Sequence, residues 1–154
     1  PITLGYCDPD IDEAVISQIM KGSIFSLPSK LEAQLSEKLV DLIPSAEMVR
    51  FGKNGSDVTT AAIRIARAYT GKNLIAVSGY HGWDDWYIGS TSRKLGVPKA
   101  INNLTKKFLF NDIDSLKNLL EAYPSKFAAV ILEPAGLLPT NINFLKTGLL
   151  KHQK

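Results

Sequence analysis

The segment NGSDVTTAAIRIARAYTGKNLIAVSGYHG, residues 54–82, decides the fold of this chain. Its first residues form turns readily, and they lead into a helix that we predict from about Asp57 to Thr70. Gly71 ends this helix, because glycine adopts the left-handed conformation that is common at helix ends. Leu74 to Val77 predicts a strand, which is followed by a glycine-flanked loop. A helix joined to a strand by a short connection is typical of an α/β layer.

Strands and helices alternate on both sides of this segment. Met48 to Phe51 predicts a strand before it, and Phe108 to Phe110 predicts a short strand after a long loop from Trp83 to Lys107. Asp112 caps the helix that follows, and Phe127 to Leu132 is a continuous apolar run of the kind that a sheet buried on both faces requires. This order predicts an α/β fold with a mostly parallel sheet.

Two further helices are predicted near the beginning of the chain. Acidic residues at positions 10, 12 and 13 precede an apolar pattern that Gly22 closes. Ser29 and Glu32 form the S-x-x-E capping box of a second helix, in which leucines recur every three or four residues until Pro44.

Composition narrows the class of protein. The chain has 154 residues, of which 45% are hydrophobic and 21% are charged, which is typical of a globular domain and excludes a disordered or collagen-like chain. The formal net charge of +3 is small and its basic residues are scattered, so we expect no nucleic-acid partner. No apolar run approaches the roughly 20 residues of a membrane span. Since the sequence shows neither such a span nor an opening signal segment, we expect a cytoplasmic location. Because Cys7 is the only cysteine, we expect no internal disulfide, which fits a reducing compartment.

The residues just after the predicted strands are the candidates for chemistry, because ligands of open α/β sheets bind beyond the carboxyl ends of the strands. Gly55 and Ser56 open a helix, where free N–H groups and the helix dipole attract an anion such as a phosphate. Asn54 or Ser56 serving only as a helix cap is the alternative. The segment is neither a Walker loop nor a G-x-G-x-x-G motif, which speaks against the familiar nucleotide sites.

Tyr80 and His81 place an aromatic ring and a titratable ring at a strand end, between Gly79 and Gly82. A flat aromatic ligand would stack there; the alternative is that both rings pack beneath the long loop. A hydrolase triad of Ser78, His81 and Asp84 lacks its usual G-x-S-x-G motif.

A metal site at His81, Asp84 and Asp85 is equally weakly supported, since its ligands would all be close in sequence. We therefore expect no metal. Trp83 and Trp86 are typical of packing or interface residues rather than of a cofactor site.

Glu133 ends the most apolar strand, and Pro134 prevents that strand from continuing. The strand therefore delivers a carboxylate to the edge of the sheet. A carboxylate there has either a functional role or a structural one as a hydrogen-bond acceptor.

Together these segments resemble the class III aminotransferases, pyridoxal 5′-phosphate (PLP) enzymes of fold type I, and most closely their glutamate-1-semialdehyde aminomutase branch. The strongest similarity is to the family's S-G-T-E-A phosphate loop with the helix behind it, and two further stretches look like its Y-H-G segment and its strand ending in Glu-Pro. The matching stretches are Leu4 to Tyr6 with Pro9, Ser29 to Leu39, Glu47 to Phe51, Asn54 to Asp57, Ala62 to Gly71, Gly79 to Gly82 and Ala129 to Pro134.

The resemblance implies a fold and a role for each site residue. The fold is a partial three-layer αβα large domain, with residues 1–28 as a connecting segment and helix and residues 29–154 as the N-terminal part of the PLP-binding domain. The implied cofactor is PLP, with Gly55 and Ser56 holding its phosphate, Tyr80 stacking on its pyridine ring and His81 supporting the surroundings of that ring. Glu133 would lie near the cofactor and the substrate, as a supporting catalytic residue.

The resemblance also implies a reaction and an assembly. The parent protein would move amino groups between small amino and keto compounds through a PLP Schiff base, and would be a homodimer. Asn54, Ser56 and Asp57 stand where the family has Ser, Thr and Glu, which indicates a divergent subgroup acting on sugars or other biosynthetic intermediates. The family's glycine-rich loop is not recognisable at positions 137–140.

The family's Schiff-base lysine, and the aspartate that pairs with the pyridine nitrogen, fall beyond Lys154 in the family pattern. We therefore expect these residues to be an internal fragment of an aminotransferase or aminomutase, inactive alone. The alternatives are a non-catalytic module that binds phosphorylated ligands and a remnant of a decayed enzyme.

Overall fold

The computed structural model describes residues 3–134. The chain divides into two compact units, Pro1–Arg50 and Phe51–Lys154. The domain limits of 1–28 and 29–154 stay a prediction about the whole protein.

The first unit holds helices α1 (Pro9–Lys21) and α2 (Lys30–Leu42), and both begin as predicted. The side chain of Asp8 accepts hydrogen bonds from the first turn of α1, and Gly22 follows the helix with a φ of 109°. Ser29 and Glu32 form the expected reciprocal capping box of α2. Neither helix has a fully buried residue among those that the structure describes.

The second unit alternates helices and strands. Its elements are α3 (Gly55–Thr70), β1 (Leu74–Ser78), α4 (Asp85–Ile88), α5 (Lys99–Asn102), β2 (Thr105–Lys107), α6 (Ile113–Ala122) and β3 (Phe127–Leu132). The strands form a parallel sheet in the order β2-β1-β3, so β1 lies in the centre. The predicted α/β fold with a parallel sheet is confirmed.

Side chains of β1 alternate between two cores, as a strand requires. Ile75 and Val77 pack with Ile63 of α3 and with Trp86 and Tyr87 of α4. Ala76 faces the other way, into a cluster that contains Leu116 of α6 and Phe108, which follows β2. Helices therefore cover both faces of the sheet, which is what a parallel sheet needs.

Three predictions of local structure are wrong. Residues 48–51 form no strand, because a strand needs a neighbouring strand to complete its ladder and the described sheet has none there. The strand expected at Phe108 to Phe110 is β2, three residues earlier, where Thr105 pairs with Ile75. Phe108 instead leaves the strand and fills the second core. The loop expected between Trp83 and Lys107 contains α4, α5 and β2.

No helix among residues 3–134 is long and apolar enough to cross a membrane. Cys7 is exposed and unpaired.

Candidate functional site

The start of α3 is capped by Asn54. The Asn54 side chain accepts a hydrogen bond from the N–H of Asp57 at 3.0 Å, and the Asp57 carboxylate accepts one from the N–H of Asn54 at 3.3 Å. The expectation of a cap is thus confirmed for Asn54, whereas Ser56 uses its hydroxyl elsewhere. This capping box leaves the N–H groups of Gly55 and Ser56 without a partner inside the helix.

Gly55 and Ser56 line a cavity of about 400 Å³. Its other lining residues are Asn54, Thr59, Tyr80, His81, Gly82 and Trp83. A Cβ added to Gly55 would meet no atom within 4 Å, so open space lies directly in front of this residue. Two backbone donors at a helix N-terminus beside open space suit an anionic group.

The loop after β1 is bound tightly to the start of α3. The N–H of Trp83 donates to Oγ of Ser56 at 3.1 Å, and Oγ1 of Thr59 lies 3.0 Å from the carbonyl oxygen of His81. Gly82 has a φ of 106°, and a Cβ at this position would collide with the Ser56 side chain. The close approach of loop and helix therefore requires glycine at position 82.

Glu133 joins the ends of β1 and β3. Its N–H donates to the carbonyl oxygen of Ser78 at 3.1 Å, and its carboxylate accepts the N–H of Tyr80 at 3.3 Å. Gly79 has a φ of 91°, and the Cβ of Glu133 occupies the space that a side chain at position 79 would need. The structure thus shows Glu133 as a hydrogen-bond acceptor that holds the loop after β1.

Tyr80 and His81 point into different environments. Tyr80 is 67% exposed and lines the cavity, whereas His81 is 7% exposed. Nε2 of His81 donates to the carbonyl oxygen of Ser78 at 2.8 Å, and the His81 ring stacks against Trp86 at 6.4 Å between centroids. The alternative in which both rings pack beneath the loop is therefore right for His81 and wrong for Tyr80.

The hydrolase and metal alternatives find no support in these contacts. His81 bonds the main chain of Ser78, not its hydroxyl, and the Asp84 carboxylate accepts from Oγ1 of Thr60 at 2.6 Å. Within residues 3–134 no group of three His, Cys, Asp or Glu side chains is arranged to hold a metal ion.

Sequence reasoning missed Tyr87, which lies next to the site on α4. Tyr87 is 6% exposed, and its hydroxyl donates to the carbonyl oxygen of Gly79 at 2.8 Å. Burial, with smaller effects from the nearby Tyr80 and Glu133, raises the pKa of Tyr87. The hydroxyl therefore remains a donor at neutral pH. The only signal in the sequence was the presence of three aromatic residues, Trp83, Trp86 and Tyr87, within five positions after Gly82.

A second set of hydrogen bonds, also missed, lies behind the loop. Thr60 donates to Asp84 and accepts from Nε1 of Trp86 at 2.9 Å. The hydroxyl of Thr105 donates in turn to the carbonyl oxygen of Trp86. These bonds tie α3, α4 and β2 together. Trp86 is a packing residue as expected, while Trp83 is 73% exposed at the rim of the cavity.

Some expectations lie outside the described residues. One of these is the expectation that the family's glycine-rich loop is not recognisable at positions 137–140.

The structure is a parallel α/β sheet with an open helix start and an exposed aromatic ring at the carboxyl ends of its strands, where α/β proteins bind their ligands. The sequence model of the class-III aminotransferases matches residues 1–147, so the chain belongs to this family.

Named relatives agree with this membership. The chain is 47% identical over 137 residues to a 3-aminobutyryl-CoA aminotransferase of Cloacimonas acidaminovorans, a match that covers 88% of this chain and 32% of that protein. It is 38% identical over 161 residues to a glutamate-1-semialdehyde 2,1-aminomutase of Legionella pneumophila, covering 95% of this chain and 38% of that protein. A solved transaminase with PLP bound superposes with a TM-score of 0.83 at 28% identity, covering 92% of this chain and 37% of that one. The chain spans about a third of the length of these relatives.

Proposed function

We propose that the whole protein is a PLP-dependent aminotransferase and that the described residues supply its phosphate and ring contacts. The observation that carries this proposal is the single cavity lined by both the open start of α3 and the exposed ring of Tyr80. A flat, phosphorylated ligand needs these two features side by side. The family membership of the chain and the PLP held by a solved transaminase of the same fold support the proposal.

The phosphate end of the cavity fits the cofactor. Gly55 and Ser56 would donate their N–H groups, and the hydroxyl of Ser56 can also donate, because it accepts its bond from Trp83 and keeps its own proton. The absence of a side chain at Gly55 leaves the approach open. Loop and helix are already bound together before a ligand arrives, so little ordering of the protein is needed on binding.

The ring end of the cavity fits as well. Tyr80 would cover one face of the pyridine ring, and aromatic rings favour such offset stacking. His81 would act from behind, because it is buried against Trp86 and bonded to Ser78. Glu133 would orient the loop that carries Tyr80 through the bond to its N–H. When bound, PLP supplies a carbonyl carbon that condenses with an amine and a ring that accepts electrons.

The remaining chemistry is assigned to other parts of the whole protein. We propose that the lysine that condenses with PLP and the acid that faces the pyridine nitrogen lie in segments beyond residues 1–154, and that these residues alone are inactive. We further propose that the whole protein is a cytoplasmic homodimer that acts on small amino and keto compounds.

Two reactions are compatible with this proposal: transfer of an amino group to another molecule and its migration within one molecule. The relative that is 47% identical is named for transfer of an amino group, and the one that is 38% identical is named for its migration. We favour transfer of an amino group over its migration. The substrate would then carry the amino group on a carbon that is not next to the carboxyl group, as the name of the first relative indicates. Sugar amination is the alternative that the substitutions at Asn54, Ser56 and Asp57 suggested.

The test uses the whole protein, purified and reconstituted with PLP. We expect it to convert an amine donor to its keto product and, with a keto acid added, to complete a cycle. Isomerisation of the donor without a keto acid would establish the aminomutase instead. Saturable PLP binding without either reaction would support the non-catalytic module, and no PLP binding at all would refute the proposed function.

A further inference from the structure

The peptide group between Gly79 and Tyr80 is held on both sides by side chains from different elements. Its carbonyl oxygen accepts the hydroxyl of Tyr87 at 2.8 Å, and its N–H donates to the carboxylate of Glu133 at 3.3 Å. Tyr87 belongs to α4 and Glu133 follows β3. We name these two contacts the Gly79–Tyr80 clamp.

The clamp has little freedom to move. Gly79 has a φ of 91°, and the space around its Cα is taken by the Cβ of Glu133. The ring of Tyr87 is packed edge-on against Tyr80 at 5.7 Å and against His81 at 5.4 Å, with interplanar angles of 87° in both pairs. Such edge-to-face pairs add to the free energy of packing and fix the relative orientation of the rings.

Tyr80 depends on this clamp more than a buried residue would. Because its side chain is 67% exposed, burial of the ring contributes little to holding it in place. Its backbone N–H, the carbonyl before it and the edge contact with Tyr87 are the interactions that orient it. A tyrosine that stacks on a ligand without prior fixing loses side-chain entropy on binding, and this loss weakens affinity.

We propose that Tyr87 is a positioning residue for the cofactor: with Glu133 it fixes the Gly79–Tyr80 peptide and thereby holds the Tyr80 ring ready to stack. This inference rests on the proposed function, because it assumes that Tyr80 stacks on PLP. Tyr87 itself lies behind Tyr80, and the cavity lining does not include it. Its hydroxyl therefore acts through the loop and not by contact with the ligand.

The test is a double-mutant cycle on ligand binding. The probe is pyridoxamine 5′-phosphate, the aminated form of the cofactor, which forms no covalent bond to the protein. Its Kd is measured by calorimetry on the whole protein stripped of cofactor, for the wild type, Tyr87→Phe, Tyr80→Ala and the double variant. Tyr69→Phe is the matched control, because it removes the hydroxyl of a tyrosine that is 91% exposed on the same chain.

We expect Tyr87→Phe to raise the Kd by about 3- to 10-fold, the effect of losing one neutral hydrogen bond. In the Tyr80→Ala background we expect the same substitution to change the Kd by less than about 2-fold, because the ring that it positions is gone. Tyr69→Phe is expected to change nothing.

Three results separate the inference from the proposed function. An equal effect of Tyr87→Phe in both backgrounds, or none in the wild-type background, overturns the inference. A Tyr80→Ala variant that binds as well as the wild type refutes the stacking on which the inference rests. A wild type that does not bind the probe refutes the proposed function itself.

A second arm keeps the inference open to refutation if Tyr87→Phe does not fold. Glu133→Ala removes the carboxylate but keeps the N–H that bonds Ser78 and the Cβ that fills the space beside Gly79. We expect Glu133→Ala to weaken probe binding more in the protein that retains Tyr80 than in the Tyr80→Ala variant. Equal weakening in the two backgrounds overturns the role of the clamp.

Discussion

The side chain of Ser56 occupies the space that a Cβ at position 82 would need, and Gly82 has a φ of 106°. This contact brings the loop after β1 against the first turn of α3. The N–H of Trp83 also donates a hydrogen bond to Oγ of Ser56, and this bond fixes the loop against the helix. The proximity of a cavity-lining loop to a helix start thus depends on one glycine and one small hydroxyl side chain.

Replacing this glycine should lower the stability of the second unit. In Gly82→Ala the methyl group must push Ser56 away while the backbone keeps a conformation that alanine disfavours. We expect the free energy of unfolding of the second unit to fall by about 2–4 kcal/mol. Gly96→Ala is the matched control, because Gly96 has a φ of 88° but its added Cβ meets no atom within 4 Å. Urea unfolding of the whole protein measures the loss of stability in Gly82→Ala and in Gly96→Ala. Equal losses in the two variants would show that the contact with Ser56 does not contribute to stability.

Substitution of Gly55 by alanine should weaken ligand binding without lowering the stability of the protein. An alanine there meets open space and begins a helix, so we expect the thermal midpoint to stay within a few degrees of the wild type or to rise. The same methyl group would project into the cavity in front of two backbone donors. We expect the Kd for pyridoxamine 5′-phosphate to rise by about 10-fold, the effect of about 1.4 kcal/mol of crowding. A stable variant with unchanged affinity would place the phosphate elsewhere.

The sequence predicted well what depends on nearby residues. The cap at Asn54, the capping box of Ser29 with Glu32 and the helix end at Gly71 are all contacts within one turn, so their residue types are sufficient to identify them. The long apolar run Phe127–Leu132 also predicted β3, because a parallel strand is buried on both faces.

Contacts between distant segments were harder to predict. The hydroxyl of Tyr87 reaches Gly79 only because α4 folds back over the end of β1. The spacing of residues in the sequence does not predict such a contact. The different environments of Tyr80 and His81 have the same cause, since Tyr80 is exposed whereas the His81 ring is buried against Trp86. For β2, the apolar Phe108 misled the prediction, because pairing with β1 and not hydrophobicity sets the position of this short strand.

Two matched substitutions at Asn54 test whether a negative charge at the start of α3 weakens anion binding. Serine and aspartate are both good N-cap residues, so we expect Asn54→Ser and Asn54→Asp to unfold within about 0.5 kcal/mol of the wild type. Since Asn54 lines the cavity, the carboxylate of Asn54→Asp would repel a phosphate bound there. We expect the Kd for inorganic phosphate to rise by about 5- to 10-fold in Asn54→Asp alone at low salt, and the difference to shrink at high salt. Equal affinities in the two variants would contradict an anion site at the start of α3.

The raised pKa of Tyr87 predicts a loss of stability in alkali. In the folded protein burial opposes ionisation of this hydroxyl, whereas in the unfolded chain it ionises near its ordinary value of 10.0. Protons are therefore bound more tightly in the folded state, so the stabilisation is complete below about pH 10 and is lost as the pH rises through the higher folded-state pKa. We expect the free energy of unfolding of the wild type to fall more steeply above about pH 10 than that of Tyr87→Phe, which has no hydroxyl to ionise. Urea unfolding of both proteins from pH 8 to 11 measures the difference, with Tyr69→Phe as the control that should follow the wild type. Parallel curves for the wild type and Tyr87→Phe would mean that the Tyr87 hydroxyl ionises as readily in the folded protein as in the unfolded chain.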